Sequence, residues 1–511
     1  MTETTPAPSP ADRLDSGLDA AAALTSAALT SADLTPAGLT PERLREIAPY
    51  LSRWLATQVE TRHVPGAQVA VRLGDELILS EAYGLADQAA GTPLTTGHVF
   101  RVASHSKTFT AVAVLRLVEA GRLRLDDAVG TLLPDLADAP LAEVTVRELL
   151  SHTGGAIRDG VDADFWQLDR PFPDADALRR LVREHGAVYA PQEHFKYSNI
   201  GYGLLGTIIE AVTGQEYAAH LAESVLAPLG LADTHPELTE GAPARAAVGH
   251  SRAHGSGRAR VTVAQTATGA LAAATGFAST AEDLSRFFGA LALGRDELLT
   301  DRSLRLMQRA ESTFPRGGGT GTYGLGIIGS TVGERRLVGH SGGFPGQITR
   351  TMVDPEAGLV VCVLTNAVDG PAEALATGLV QLIDLLGKDA EDWQALPDGV
   401  TVADLDRLTG RYLALSGEMD VVRGGDRLVA LDPTTPGPLD GLDELRPVDA
   451  TTLRPKDEDG FGASGEPMPF ELDDDGRVVR VRVGGVSSRP EEDFLARRGD
   501  AWVHREPAAG A

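Results

Sequence analysis

The chain has 511 residues, enough for two or three domains and a large core. Its 42% hydrophobic and 23% charged content is that of a soluble globular protein. The net charge of −26 argues against nucleic acid and anionic membrane surfaces as partners. A single cysteine, Cys362, excludes internal disulfides and cysteine-based metal clusters, and its apolar neighbours 359–364 mark it as a core side chain.

Residues 1–40 are rich in Ala, Thr, Ser and Pro, carry a loose five-residue repeat, and are expected to be disordered. The N-terminus is acidic, no apolar signal-like region follows it, and no run of 18 apolar residues occurs. A cytoplasmic protein without a membrane span is the expectation. Thr40-Pro41-Glu42 reads as a helix start, and Leu44, Ile47, Leu51, Leu55 and Val59 mark an amphipathic helix with Pro49 as a candidate kink.

Two strand-like runs, Ala67–Leu73 and Leu77–Tyr83, read as a hairpin turning at Gly74-Asp75-Glu76. Val102-Ala103-Ser104-His105-Ser106-Lys107 then leads into an apolar helix that ends before Gly121. If the segment opens a helix, Ser104 and Lys107 share one face. Ser104 then lies at the helix N-terminus, where N–H groups favour developing negative charge, and a Lys107 buried against apolar neighbours loses basicity enough to accept a proton. His105 points away from that face and is expected to pack.

Residues 156–300 are mainly helical by pattern. Within them, Lys196-Tyr197-Ser198-Asn199 precedes a helix over 201–213, offering a phenol for proton transfer and an amide for a substrate carbonyl. Strands are expected at Tyr323–Ile327, Arg336–Gly339, Gln347–Val353 and Leu359–Leu364, and a helix at Glu373–Leu386. Gly339-His340-Ser341-Gly342-Gly343 lies at a strand end, where glycines let backbone N–H groups approach a bound acyl group. Beyond 395, short strands separated by Gly, Pro and Asp suggest an all-β sandwich or barrel.

The ordered set Ser-x-x-Lys, Tyr-x-Asn and His-x-Gly resembles the penicillin-recognising serine hydrolases over about residues 45–388. The branch it resembles holds class C β-lactamases, D-alanyl-D-alanine carboxypeptidases, D-aminopeptidases and their esterase relatives. The resemblance implies an α+β fold: an antiparallel sheet flanked by helices, with a helical subdomain. It implies Ser104 as the acylated nucleophile, Lys107 as its proton acceptor and Tyr197 as acid/base. Asn199 would hold the substrate amide. His340 would stand where β-lactamases carry a lysine, supplying a weaker, pH-dependent charge for a substrate carboxylate. Ser341, Gly342 and Gly343 would line the site, with the N–H groups of Ser104 and Gly343 forming the oxyanion hole.

The C-terminal part is similar to lipocalin-like β-barrel modules appended to D-aminopeptidase relatives, able to cover the site or act as a spacer. The expected division is an extension over 1–40, a hydrolase domain over 41–388, a linker over 389–404 and a barrel over 405–511. The substrate expected is a small amide, peptide or ester, D-amino-acid derivatives first, then D-alanyl-D-alanine peptides and β-lactams. No cofactor or metal is expected, and the oligomeric state is open. Two rivals remain. Gly339–Gly343 also reads as the Gly-x-Ser-x-Gly elbow of α/β-hydrolases, but Phe344-Pro345-Gly346 cannot start a helix and only His504 follows. A non-catalytic penicillin-binding or sensor module would keep the motifs without turnover. His152-Thr153-Gly154, a second His-x-Gly, reads as structural.

Overall fold

The computed structural model describes residues 39–238, 245–255, 259–316, 319–388, 396–425, 427–457 and 462–496. The expected N-terminal extension lies almost wholly outside them, as do 389–395 of the expected linker and the chain end after 496.

Thr40 caps helix α1 (Pro41–Thr61), its hydroxyl accepting from the Arg43 N–H, and the helix runs through Pro49 without interruption. The hairpin forms as expected: β1 (Gly66–Leu73) pairs antiparallel with β2 (Glu76–Asp87), which pairs with the short β3 (Thr92–Pro93). Six later strands complete the sheet: β4 (Ser312–Arg316), β5 (Gly319–Tyr323), β6 (Ile328–Val332), β7 (Arg335–Phe344), β8 (Gln347–Asp354) and β9 (Leu359–Thr365). Their order is β3-β2-β1-β9-β8-β7-β6-β5-β4, so the N-terminal hairpin closes against the last strand through long-range pairing.

The strand expected over Tyr323–Ile327 is corrected: β5 ends at Tyr323 and β6 begins at Ile328. Gly326 adopts φ +76°, and a Cβ there would meet the Ala111 Cβ at 2.4 Å, so the chain turns where the apolar pattern suggested continuity.

Along the central strands, alternate side chains feed two cores. Val360, Cys362 and Leu364 join one; Leu359, Val361 and Val363 join the other. The first core packs against helices α2 (Ser106–Glu119), α3 (Asn199–Thr213) and α4 (Ala281–Gly289). The second packs against α1 and α5 (Ala372–Leu386). Cys362 is fully buried, and burial pushes its thiol up to about 12, as suits a core side chain.

Eight antiparallel strands between Gly410 and Pro490 close into a barrel whose interior is filled by side chains such as Tyr412, Val421, Leu453, Phe470 and Val481. Leu405 and Leu408, on the helix Val402–Leu408, are part of that filling, and Leu396 and Val400 pack against it. Val422, Val429 and Leu431 join the second core beside α1 and α5, which places the barrel on the sheet face opposite α2. Gln58 donates to the carbonyls of Pro433 and Thr435 at 2.7 and 2.8 Å. Arg411 donates to Asp420 through Nε and Nη2 at 2.8 and 3.0 Å, and to Thr57 Oγ1 at 2.7 Å. Among the described residues, no helix is long and apolar enough to cross a membrane.

Candidate active site

The expected serine helix begins with a tight turn. Ala103–His105 form a single 3₁₀ turn before α2, and Ala103, fully buried, sits at φ +47°. A side chain held in the left-handed region costs of order 1 kcal/mol, strain that the packed surroundings sustain next to Ser104. Gly342 on β7 lies hard against this turn: a Cβ would fall 2.1 Å from the Val102 carbonyl oxygen. Only glycine lets the strand approach that closely.

One turn on, Lys107 is fully buried and its Nζ lies 3.2 Å from Ser104 Oγ. The same nitrogen donates to Asn199 Oδ1 at 2.7 Å and to the Ala274 carbonyl at 2.9 Å. Burial holds the amine well below the usual lysine range; the Asp159 carboxylate opposes that shift and Arg158 adds to it. The hydrogen-bond count agrees. Two N–H groups of the amine are spent on Asn199 and Ala274, and the remaining direction meets a hydroxyl that can either donate or accept. A neutral amine in this position turns its lone pair to the Ser104 proton.

Asn199 opens α3, behind Ser198, which caps the helix by accepting from the Gly201 N–H. The resemblance implies that its side chain holds the substrate amide. It is 2% exposed, with Oδ1 taken by Lys107 and Nδ2 donating to Asp159 Oδ1 at 2.6 Å. Tyr197 is half-buried, its ring face 4.6 Å from Lys107 Nζ. Burial pushes its phenol upward and the Ser104 hydroxyl, within its reach, partly offsets this, so it is a neutral donor at physiological pH. His152, the motif read as structural, accepts the Ser198 N–H on Nδ1 at 3.1 Å and packs its ring 4.3 Å from Tyr197.

The resemblance implies a weak, pH-dependent charge at His340. Its Nδ1 lies 2.7 Å from the Ser341 carbonyl, which can only accept, so Nδ1 carries the proton. Nε2 therefore accepts from the Tyr323 hydroxyl at 3.1 Å. The ring is 1% exposed and neutral, held far below the usual histidine range by burial, with His105 and Lys107 adding to the shift. No cation stands where a β-lactamase carries its lysine. His105 packs as expected, bonding Val102 O and Thr351 Oγ1 and meeting Phe288 edge-on.

Ser104, Tyr197, His340, Ser341 and Gly343 line one cavity of about 480 Å³, with Phe195 and Phe314 stacked at 4.9 Å on its apolar side. Ser341 sits on a strand that turns straight into β8 after Phe344, so the helix that a nucleophile elbow requires does not follow. The barrel contributes no described residue to the cavity wall. Arg158, Asp159 and Tyr323 escaped the sequence reading. Asp159 carries no motif and meets Asn199 only through folding; Tyr323 lay inside a run read as plain strand. The expectation that sets a metal hydrolase aside, that no His-x-x-x-His pair occurs, is corrected: His250 and His254 form one. His250 lies in a two-residue strand with Nδ1 on the Asn366 carbonyl, and no described group of three His, Cys, Asp or Glu is arranged to hold a metal.

Comparisons with known proteins show the family. The family model described as Beta-lactamase matches residues 51–384. Penicillin-binding protein 4 of Amycolatopsis lactamdurans is 30% identical over 383 residues, 71% of this chain and 97% of its own. Esterase EstB of Burkholderia gladioli is 36% identical over 192 residues, 34% of this chain and 47% of that protein. The D-amino acid amidase of Ochrobactrum anthropi SV3, solved with D-phenylalanine, superposes with TM-score 0.57 at 26% identity, covering 66% of this chain and 99% of the amidase. The chain belongs to the β-lactamase family and is a serine hydrolase of the penicillin-recognising kind.

Proposed function

We propose that the protein hydrolyses small amides or esters, D-amino-acid derivatives foremost, through an acyl-enzyme on Ser104. The observation that carries the reading is the environment of Lys107 Nζ, with two N–H groups spent on fixed acceptors and the third direction on Ser104 Oγ. Ser104 Oγ bonds the carbonyl carbon as its proton passes to the Lys107 lone pair. The N–H groups of Ser104 and Gly343 receive the developing oxyanion. Tyr197, a neutral phenol beside both groups, relays that proton to the departing amine or alcohol. Water then attacks the ester by the reverse route, and Ser104 recovers its proton as the acid leaves. Asn199 acts here as a positioning residue that holds the amine, and residues 41–388 carry the reaction.

The D-amino-acid preference is supported by the amidase structure solved with D-phenylalanine, and ester cleavage by the esterase relative. D-alanyl-D-alanine peptides and β-lactams are the runner-up substrates; the His340 ring offers their carboxylate no charge at that position. Intact-mass and peptide mapping after exposure to an activated ester, a penicillin and a D-amino-acid amide tests the reading. The adduct is expected on Ser104, and Ser104→Ala should abolish turnover while Ser341→Ala retains it. A label on Ser341, with full activity in Ser104→Ala, would sink the assignment. Stoichiometric acylation of Ser104 without release would favour the sensor module instead.

A further inference from the structure

Arg158 is the one charged side chain among the described residues that line the cavity. It stands on the Tyr197 wall, its guanidinium 5.8 Å from the Tyr197 ring, with the side chain 62% exposed. Its Nε donates to Asp159 Oδ2 at 2.9 Å, and the other oxygen of Asp159 is held by Asn199. Lys107, Asn199, Asp159 and Arg158 thus form one hydrogen-bonded chain from the buried amine to the cavity rim. A guanidinium tethered through Nε keeps the donors on its two terminal nitrogens in a fixed plane, suited to a carboxylate. The backbone is anchored too, because the Arg158 carbonyl accepts the N–H groups of Asn199 and Ile200.

We propose that Arg158 is the anion-recognising residue of this site, and that the preferred amide or ester carries a carboxylate. This rests on the hydrolase reading above and narrows its substrate class. The family's usual place for a cation, His340, is occupied by a ring whose two nitrogens are both satisfied within the protein. The one described cation of the cavity stands instead on the wall beside Tyr197. Among the D-amino-acid derivatives named above, those bearing a carboxylate are favoured over those with only a free ammonium, which would find no carboxylate among the described lining residues and would face Arg158.

Two ester pairs decide the matter. One pair is p-nitrophenyl valerate and the p-nitrophenyl monoester of glutaric acid; the other is phenyl acetate and 4-carboxyphenyl acetate. The charged-to-neutral ratio of kcat/KM is measured for each pair. Arg158→Gln should lower the ratio about tenfold in at least one pair, and Arg158→Lys should restore part of it. Ratios unmoved in both pairs overturn the proposal. Calorimetric binding of the glutarate monoanilide to Ser104→Ala reads the same contact without turnover. A Kd raised about tenfold by adding Arg158→Gln supports it, and an unchanged Kd counts against it. A wild-type protein that cleaves none of the esters, yet shows that loss of binding, would defeat the hydrolase reading and leave Arg158's role standing.

Discussion

The Tyr323 hydroxyl donates to Nε2 of His340 at 3.1 Å, and burial of that ring holds the imidazole neutral against the opposing pull of the Nδ1 bond to the Ser341 carbonyl. A residue that looked like a cation from its place in a motif is therefore a neutral wall group.

Three buried histidines follow the same rule, and their sign can be worked out. His105 is brought down to about 3, chiefly by burial; His152 and His340 are also held well below the usual value, burial being the first cause in each. Unfolding lets each take up a proton near pH 6.5. Their contribution to stability is therefore complete above pH 6.5 and is lost as pH falls below it, for His105 down to about 3. Each histidine contributes up to about 1.4 kcal/mol per pH unit in that window. Urea unfolding at pH 7, 6 and 5 should show the loss, and His105→Asn should flatten the slope.

Lys107 is expected to be irreplaceable by a larger cation. Arginine stays protonated and cannot accept the Ser104 proton, so Lys107→Arg should lower kcat by about 10³-fold. Lys107→Met should do the same while keeping the burial. A burst of released nitrophenol in either variant at the wild-type rate would contradict the role.

Asn199→Asp tests whether the amide keeps the amine neutral. A carboxylate in place of Oδ1 stabilises the ammonium form of Lys107 and faces Asp159 as well. The acid limb of the kcat/KM profile should move to higher pH, with activity at pH 7 falling more than activity at pH 10. A uniform loss at all pH values would point to a merely structural role.

The barrel interface should govern stability without touching chemistry. Asp420 is fully buried and Arg411 is its bidentate partner, so Arg411→Met leaves the carboxylate only the longer pair with Arg53 Nη2 at 3.9 Å. A loss of about 3 kcal/mol is expected by denaturant unfolding. Because the barrel packs on the sheet face opposite α2, kcat/KM of the folded protein should hold within about twofold.

Much of this protein was readable from local pattern. Ser104 and Lys107 are three residues apart, so helix geometry alone brings them together. The Thr40 cap, the hairpin, the buried strand around Cys362 and the run of short barrel strands each carry their signal within a few residues. The break at Gly326 was not readable, because what bends the chain there is the approach of Ala111 from another element.

Charge at the site belonged to the tertiary structure. Whether His340 is protonated depends on Tyr323, seventeen residues earlier, and on how completely both rings are dried. Whether Asn199 serves the substrate or the lysine depends on Asp159, forty residues earlier, with no motif to announce it. Hydrogen bonds and burial set which groups are ionised, and both arise only when distant segments are packed together. Residue spacing along the chain could nominate the nucleophile, but only the fold could decide where the positive charge stands.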